Sequence, residues 1–329
     1  MTHQYGVSSA PVQTLGAPFQ IEVARSAQRL GYSSYWIAEA NATEGCAVLG
    51  AAAIAAPELS LGTGVLALQL RTPPLAAMAA ATLQSLAPDR DVYLGIGISS
   101  PVVAGQWHGA QYGDRPVAQM REYVALIREC LSGESVNFSG DFYSIKRFRL
   151  GVRLHDRTPK IVIGALNPTM LAVAGEIADG VLLNYLPASH VPWSIEQVRR
   201  GGDAKIYAYI HCAVTDRDRY ADVGRKDLFS YAVVDAYGNN FARAGFGDDI
   251  DALRAAHAAR DREGSVAAIS NAMLDSIQIM GDANHVRAGV QEYIDNGVEV
   301  PIVFPCPWGE DRTTTVRDTM AAAIGHNEP

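Results

Sequence analysis

The chain has 329 residues, of which 48% are hydrophobic and 19% charged, and its net charge is −8. That composition supports a large buried core and excludes extended disorder away from the ends. The negative charge argues against a general nucleic-acid binder, which presents a basic face.

Four cysteines, Cys46, Cys130, Cys212 and Cys306, stand far apart with no CxxC pair. Neither a zinc knuckle nor a disulfide framework is expected, and no His/Asp/Glu cluster has metal spacing. The opening MTHQYGVSSAPVQ lacks the basic start and apolar run of a signal peptide. The alanine-rich stretch from Ala47 to Ala56 is too short to span a bilayer. The expectation is a soluble, cytoplasmic protein with no nucleic-acid or membrane partner.

Short apolar runs alternate with amphipathic stretches almost from end to end, the pattern of parallel strands joined by crossover helices. Strands are expected near Tyr5–Ser8, Ser34–Ala38, Ser60–Leu66, Val92–Gly97, Lys160–Gly164, Gly180–Asn184, Lys205–Cys212 and Val300–Phe304. Lys160-Ile-Val-Ile-Gly164 and Val300-Pro-Ile-Val-Phe304 are continuously apolar in their centres, as buried parallel strands are. Helices are expected over Pro18–Leu30, Pro73–Leu86, Val117–Leu131, Asn167–Ile177 and Ala283–Asn296. Eight strands alternating with helices make an α/β fold, a (β/α)8 TIM barrel, spanning residues 1–329 as one domain.

Two intervals are too long for simple connections, so insertions are expected after the fourth and seventh strands. The first holds Val136-Asn-Phe-Ser-Gly-Asp-Phe-Tyr143, a hairpin turning at Ser139-Gly140-Asp141. The second holds helices, Asp218–Ala236 and Asp249–Arg262 among them.

A barrel builds its site from the loops that follow its strands. After the fifth strand, Gly164 permits close backbone approach, Asn167 suits a helix N-cap and Pro168 the first turn. The free amides of that helix are a place for a phosphate, or simply a well-capped helix start. After the fourth strand, Gly95-Ile-Gly97 precedes the hydroxyls of Ser99 and Ser100. This is neither the GxGxxG fingerprint nor a Walker motif.

Several segments together resemble the luciferase-like superfamily. They are Gly31-Tyr-Ser-Ser-Tyr-Trp-Ile-Ala-Glu39, Leu61-Gly-Thr-Gly-Val-Leu66, Arg71-Thr-Pro-Pro74, Thr82-Leu-Gln-Ser-Leu86, Leu94-Gly-Ile-Gly97 and Gly105-Gln-Trp-His-Gly109. Ala174-Gly-Glu-Ile-Ala-Asp-Gly180, Ile279-Met-Gly-Asp282 and Asn296-Gly-Val298 continue the series, so the resemblance runs from about Phe19 to Phe304. Ser99-Ser-Pro101 followed by Trp107-His-Gly109 is similar to the actinobacterial branch that uses coenzyme F420. The resemblance implies a barrel that binds F420, or alternatively FMN, at the C-terminal ends of its strands. It implies a non-proline cis peptide at Gly64-Val65 backing the deazaflavin ring. It also places Gly97 and Ser99, and the loop Gly164-Ala165-Leu166-Asn167, near the ribityl chain and phosphate; Ser100 joins them as a second hydroxyl.

Relatives often carry a histidine after the second strand, but here Glu39 is followed by Ala40. Glu39 is therefore the candidate for proton transfer, with a rim salt bridge as the alternative. His108 is a second catalytic candidate, able to lie over the ring or substrate, or else a structural lid residue. Trp107 and Tyr185 are candidate substrate contacts, and Tyr185 is equally a packing aromatic. His211 reads as a core histidine; His3 and His326 carry no signal. Arg115, Arg147, Arg149 and Arg153 form a solvated basic face or a dock for the coenzyme's polyglutamate tail. The function that the resemblance implies is F420-dependent hydride transfer to or from a small organic molecule, and a homodimer is expected. The alternatives are an FMN-dependent monooxygenase and a non-catalytic flavin-binding barrel.

Overall fold

A computed structural model describes residues 4–326; His3 lies outside them. The strands are β1 (Gly6–Ser8), β2 (Ser34–Ile37), β3 (Ser60–Thr63), β4 (Leu66–Ala67), β5 (Val92–Gly97), β6 (Val136–Ser139), β7 (Ser144–Phe148), β8 (Lys160–Gly164), β9 (Gly180–Leu183), β10 (Lys205–Val214), β11 (Gln278–Gly281) and β12 (Val300–Pro305). The first helices are α1 (Ala17–Leu30), α2 (Gly45–Ala55), α3 (Pro73–Leu86), α4 (Pro116–Leu131), α5 (Pro168–Ile177) and α6 (Val191–Arg199). Then come α7 (Arg217–Ala232), α8 (Asp235–Phe241), α9 (Gly247–Ala258), α10 (Arg262–Ala267), α11 (Asn271–Ile277), α12 (Ala283–Asp295) and α13 (Arg312–Ala323).

Strands β1, β2, β3, β5, β8, β9, β10 and β12 pair in parallel in that order, and β12 pairs back onto β1. The protein is thus a closed (β/α)8 barrel. Its eight strands are those expected from the apolar runs, and α1, α3, α4, α5 and α12 match the expected helices to within a residue or two. Proline in the first turn opens α1, α3, α4 and α5, where its missing N–H costs nothing. Gly31, at φ +84°, ends α1 and turns the chain into β2.

Aromatic side chains fill the barrel interior. Trp36 stacks on Tyr93 at 5.1 Å, and Tyr207 meets Tyr93 edge-on at 5.6 Å. Glycines facing them leave the room: a Cβ at Gly62 would lie 2.3 Å from the Trp36 ring, and one at Gly180 would lie 2.5 Å from Tyr207. This layer joins Val162, Leu182, Tyr209, Val300 and Ile302 in one interior cluster. The barrel is therefore a packed plug, and only its ends can hold a ligand.

The expected hairpin is β6–β7, antiparallel, turning a few residues later than the sequence suggests. Glu122 on α4 accepts the backbone amides of Asp141, Phe142 and Tyr143 and pins the hairpin tip to the helix. Between β10 and β12 the insertion differs in detail from expectation. The helix foreseen over 218–236 breaks at Val233-Val234 into α7 and α8. The segment from Gln278 to Gly281 forms β11, which pairs with the last four residues of β10 beyond the point where β9 stops. Buried Leu228, Phe241, Ile250, Met273 and Met280 give this insertion its own core, and Tyr185 at the barrel mouth belongs to it. The insertion is thereby fastened over one side of the mouth.

Candidate active site

The ends of β3, β5 and β8 meet at Val65. The Gly64–Val65 peptide is cis, as the sequence resemblance implies. The Val65 side chain occupies a notch between two glycines. A Cβ at Gly97 would fall 2.6 Å from one Val65 methyl, and one at Gly164 would fall 3.1 Å from the other. Gly64 itself rests on Tyr209, whose hydroxyl would be 2.1 Å from a Cβ there. Gly64, Val65, Gly97 and Gly164 are thus brought together on the C-terminal face; a side chain at Gly64 or Gly97 would collide with its neighbour, and one at Gly164 would press on Val65.

Other site residues divide around this notch. Ser99 offers its amide to Gln69 Oε1 at 3.5 Å, while Gln69 Nε2 is buried with no partner. Ser100 Oγ accepts the Val103 amide and caps a π-type helical turn, Pro101–Trp107, where the sequence suggested a loop. Trp107 ends that turn and is 55% exposed. His108 Nε2 lies 2.6 Å from the Ala40 carbonyl oxygen and ties this rim to the loop after β2.

Glu39 takes the alternative considered for it, the salt bridge. Both of its oxygens accept from Arg71, and Oε2 also accepts the Gly45 amide at 2.8 Å. Arg71 also pairs with Glu44. Burial raises the Glu39 carboxyl, but the bonds from Arg71 and Gly45 outweigh it and hold the group below the ordinary carboxylate range. A carboxylate so occupied has no free oxygen for a substrate proton, so its geometry suits an anchor for the β2 loop.

Asn167 sits at the N-cap of α5 with extended backbone, but its side chain makes no capping bond. This corrects the expected cap. Asn167 Oδ1 accepts instead from Arg243 Nη2 at 2.5 Å, across 76 residues. Arg243 also lies over the Trp193 ring, 5.5 Å from its centroid. Among the described residues no carboxylate pairs with Arg243, and partial burial lowers its basicity. The amino end of α5 therefore presents uncapped amides beside an unneutralised guanidinium. Ala165 is buried and its amide bonds Leu182 O, so Ala165 positions the loop while Leu166 and Asn167 are partly exposed. The sequence reading missed Arg243, which carries no motif.

Tyr185, at φ +49°, is a packing aromatic at the barrel mouth. Its ring lies 3.9 Å from His211 and 4.0 Å from Tyr231, and its hydroxyl donates to Asp227 Oδ2 at 2.8 Å. His211 Nε2 meets Asn184 Oδ1 at 2.8 Å, its Nδ1 has no partner, and burial pulls its pKa down to about 3. A cavity of about 490 Å3 opens here, walled by Tyr185, Tyr220, Tyr231, Phe304 and Trp308, with Asp227 and Arg312 among its lining. Trp107 and His108 are not part of that wall. Two arginines of the first insertion have partners within that insertion or next to it. Arg115 pairs with Asp141, and Arg149 bonds Gly133 O just past the end of α4, away from the mouth. Among the described residues, no cluster of His, Cys, Asp and Glu could hold a metal ion, and no helix is long and apolar enough to cross a membrane.

The profile of the luciferase-like monooxygenase family matches residues 2–299. The chain belongs to that family. A Mycobacterium tuberculosis family member assigned as a coenzyme F420-dependent oxidoreductase is 27% identical over 315 residues, covering 86% of this chain and 89% of that protein. The 5,10-methylenetetrahydromethanopterin reductase of Archaeoglobus fulgidus is 27% identical over 314 residues, covering 88% of this chain and 90% of that enzyme. Among solved structures, the coenzyme F420 dependent tetrahydromethanopterin reductase of Methanopyrus kandleri superposes over both full chains with a TM-score of 0.81 at 19% identity. At that identity the superposition speaks for the fold.

Proposed function

We propose that this family member is an F420-dependent oxidoreductase that moves a hydride between the coenzyme and a small organic substrate. The observation that carries the reading is the pairing of two features across one short loop. The glycine-lined notch at Val65 stands at Gly164, and the uncapped, Arg243-flanked end of α5 stands three residues later. A flat ring suits the first, and a phosphate suits the second. The F420-linked relatives support the choice of coenzyme.

Two further observations fit such an occupant. Among the described residues, Gln69 Nε2 is a buried donor without an acceptor, and Arg243 is a cation without a paired carboxylate. When bound, the coenzyme supplies a ring carbon that accepts or releases hydride. The chain's own part is to bind and orient. Gly64, Val65, Gly97 and Gly164 shape the ring's bed. Ser99 and Ser100 lie along its edge, and Leu166, Asn167 and Arg243 receive the phosphate. Ala165 fixes that loop, Glu39 braces the wall through Arg71, and Trp107 and His108 form the rim. Tyr185 faces the substrate cavity.

The assembly proposed is a homodimer through α2 and α3. Neither helix contains a charged residue, and together they expose Ile54, Leu75, Met78 and Leu86. Water-facing barrel helices normally carry charge on the outer side. All four cysteines are free, which suits the reducing cytoplasm. Fluorescence titration with F420 and FMN side by side tests the function. Tighter binding of F420 is expected; FMN binding with no detectable F420 binding would turn the reading to the flavin monooxygenase.

A further inference from the structure

We propose that Asp227 is the group through which the substrate gains or loses its proton, and that the substrate is a flat, ring-bearing alcohol or carbonyl compound. This rests on the oxidoreductase reading above and names the chemistry of its second pocket.

Asp227 comes from α7, the insertion helix fastened over the mouth. Both protein donors to its carboxyl fall on one oxygen. Tyr185 Oη donates to Oδ2 at 2.8 Å and Gln278 Nε2 donates to Oδ2 at 2.7 Å. Tyr185 follows β9 and Gln278 opens β11, so three elements far apart in sequence fix the carboxyl's orientation. Oδ1 receives no hydrogen bond from the described residues, and Asp227 lines the cavity. One oxygen is clamped, and the other is left for a ligand.

The groups facing Asp227 from the packed elements are Tyr185 after β9, Tyr231 on α7 and Cys306 after β12. His211 on β10 stands behind Tyr185 and stays neutral. Tyr220 and Arg312 complete the polar lining, and Arg312 is exposed and bonded to Thr14 Oγ1 at 3.0 Å. Among the described residues no cation pairs with the carboxyl. Burial raises its pKa to about 6, against the lowering bonds from Tyr185 and Gln278. It can therefore exist in both protonation states near neutral pH, as proton exchange requires.

The walls decide the rest. Five aromatic rings, with Pro11 and Pro307, line the space, which favours a flat apolar body over a sugar. Arg312 is its one cationic lining residue, too few for a phosphorylated substrate held by a charge cluster. When a carbinol carbon gives up hydride to the coenzyme, its O–H bond breaks. That electron pair closes the C=O bond, and the proton passes to Asp227 Oδ1. In the reverse direction, protonated Asp227 returns the proton to the oxygen as hydride arrives at carbon.

Acetophenone and 1-phenylethanol are suitable probes, first on the coenzyme-free protein by calorimetry. A ketone needs a donor, so acetophenone affinity should fall about tenfold as pH rises through 6, the cost of one hydrogen bond to a buried group. The alcohol should show the opposite trend. In Asp227→Asn both affinities should lose their pH dependence. In Tyr185→Phe the midpoint should move upward, because a donor that favours the ionised form is gone. With F420 bound, Asp227→Asn should cut 1-phenylethanol oxidation by about a hundredfold or more, with coenzyme affinity unchanged. No saturable binding of either probe overturns the substrate assignment, and an unaltered pH dependence in Asp227→Asn overturns the role of Asp227. Probe binding that behaves as expected in a protein that does not bind F420 upholds the pocket's chemistry and overturns the oxidoreductase reading instead.

Discussion

Arg243 Nη2 lies 2.5 Å from Asn167 Oδ1, and this contact draws the N-cap side chain of α5 away from its own helix. The first-turn amides are left without a side-chain cap while a guanidinium stands at the N-cap residue, an arrangement that attracts a phosphate. Arg243→Ala should weaken F420 binding by about tenfold to a hundredfold, the worth of a charge-assisted hydrogen bond. The same deazaflavin without its phosphate should bind wild type and variant within about threefold of each other. Equal losses for both ligands would place Arg243 in the fold and not in the phosphate site. Fluorescence titration separates the two.

Glu39 and Arg71 are each almost buried, at 11% and 12% side-chain exposure, so their pairing belongs to stability. Glu39→Gln should cost about 1–3 kcal/mol at neutral pH, because Arg71 loses a charged acceptor but keeps Glu44. The folded carboxyl lies below its ordinary pKa. Its contribution is therefore complete above the unfolded value and is lost as pH falls through the folded one. Urea denaturation should show the gap between wild type and variant closing in acid. A variant of undiminished stability that no longer binds F420 would return Glu39 to the coenzyme's side.

Asp227 carries the opposite sign. Its folded pKa is raised to about 6, so between the ordinary aspartate value and about 6 the folded state binds more proton than the unfolded one. Stability should fall as pH rises through that window. Asp227→Asn should remove this slope and match or exceed wild type above it. Thermal melts across the acid range read the effect, and an unchanged slope would assign it to another group.

Leu75 and Met78 lie on the charge-free face of α2 and α3, at 49% and 47% exposure. Wild type should sediment as a dimer at micromolar concentration, and Leu75→Glu/Met78→Glu should give a folded monomer. A monomeric wild type ends the dimer proposal.

The barrel was legible because its determinants are local. Ile161, Val162 and Ile163 form a continuous apolar run that only a strand covered on both faces can bury. Pro73 and Pro168 mark helix starts because the first turn needs no proline N–H. The ordered motifs from Gly31 to Val298 carried the family and the cis peptide at Gly64-Val65. β11 escaped notice because four residues buried by a neighbouring insertion show no period of their own.

What chemistry each residue performs was not local. Asp227 meets Tyr185 across 42 residues and Gln278 across 51, and Arg71 meets Glu39 across 32. No spacing rule links such partners. The sequence by itself determined the alternation of strand and helix, hence the barrel and the end of it that holds the site, because burying apolar surface at periods of two and 3.6 leaves few other folds. Only the tertiary structure decided that Glu39 is a braced anion, that Arg243 is an unneutralised cation and that Asp227 is a half-clamped carboxyl. The charge state and free valence of a side chain depend on what packs around it, and that neighbourhood exists only once the chain has closed.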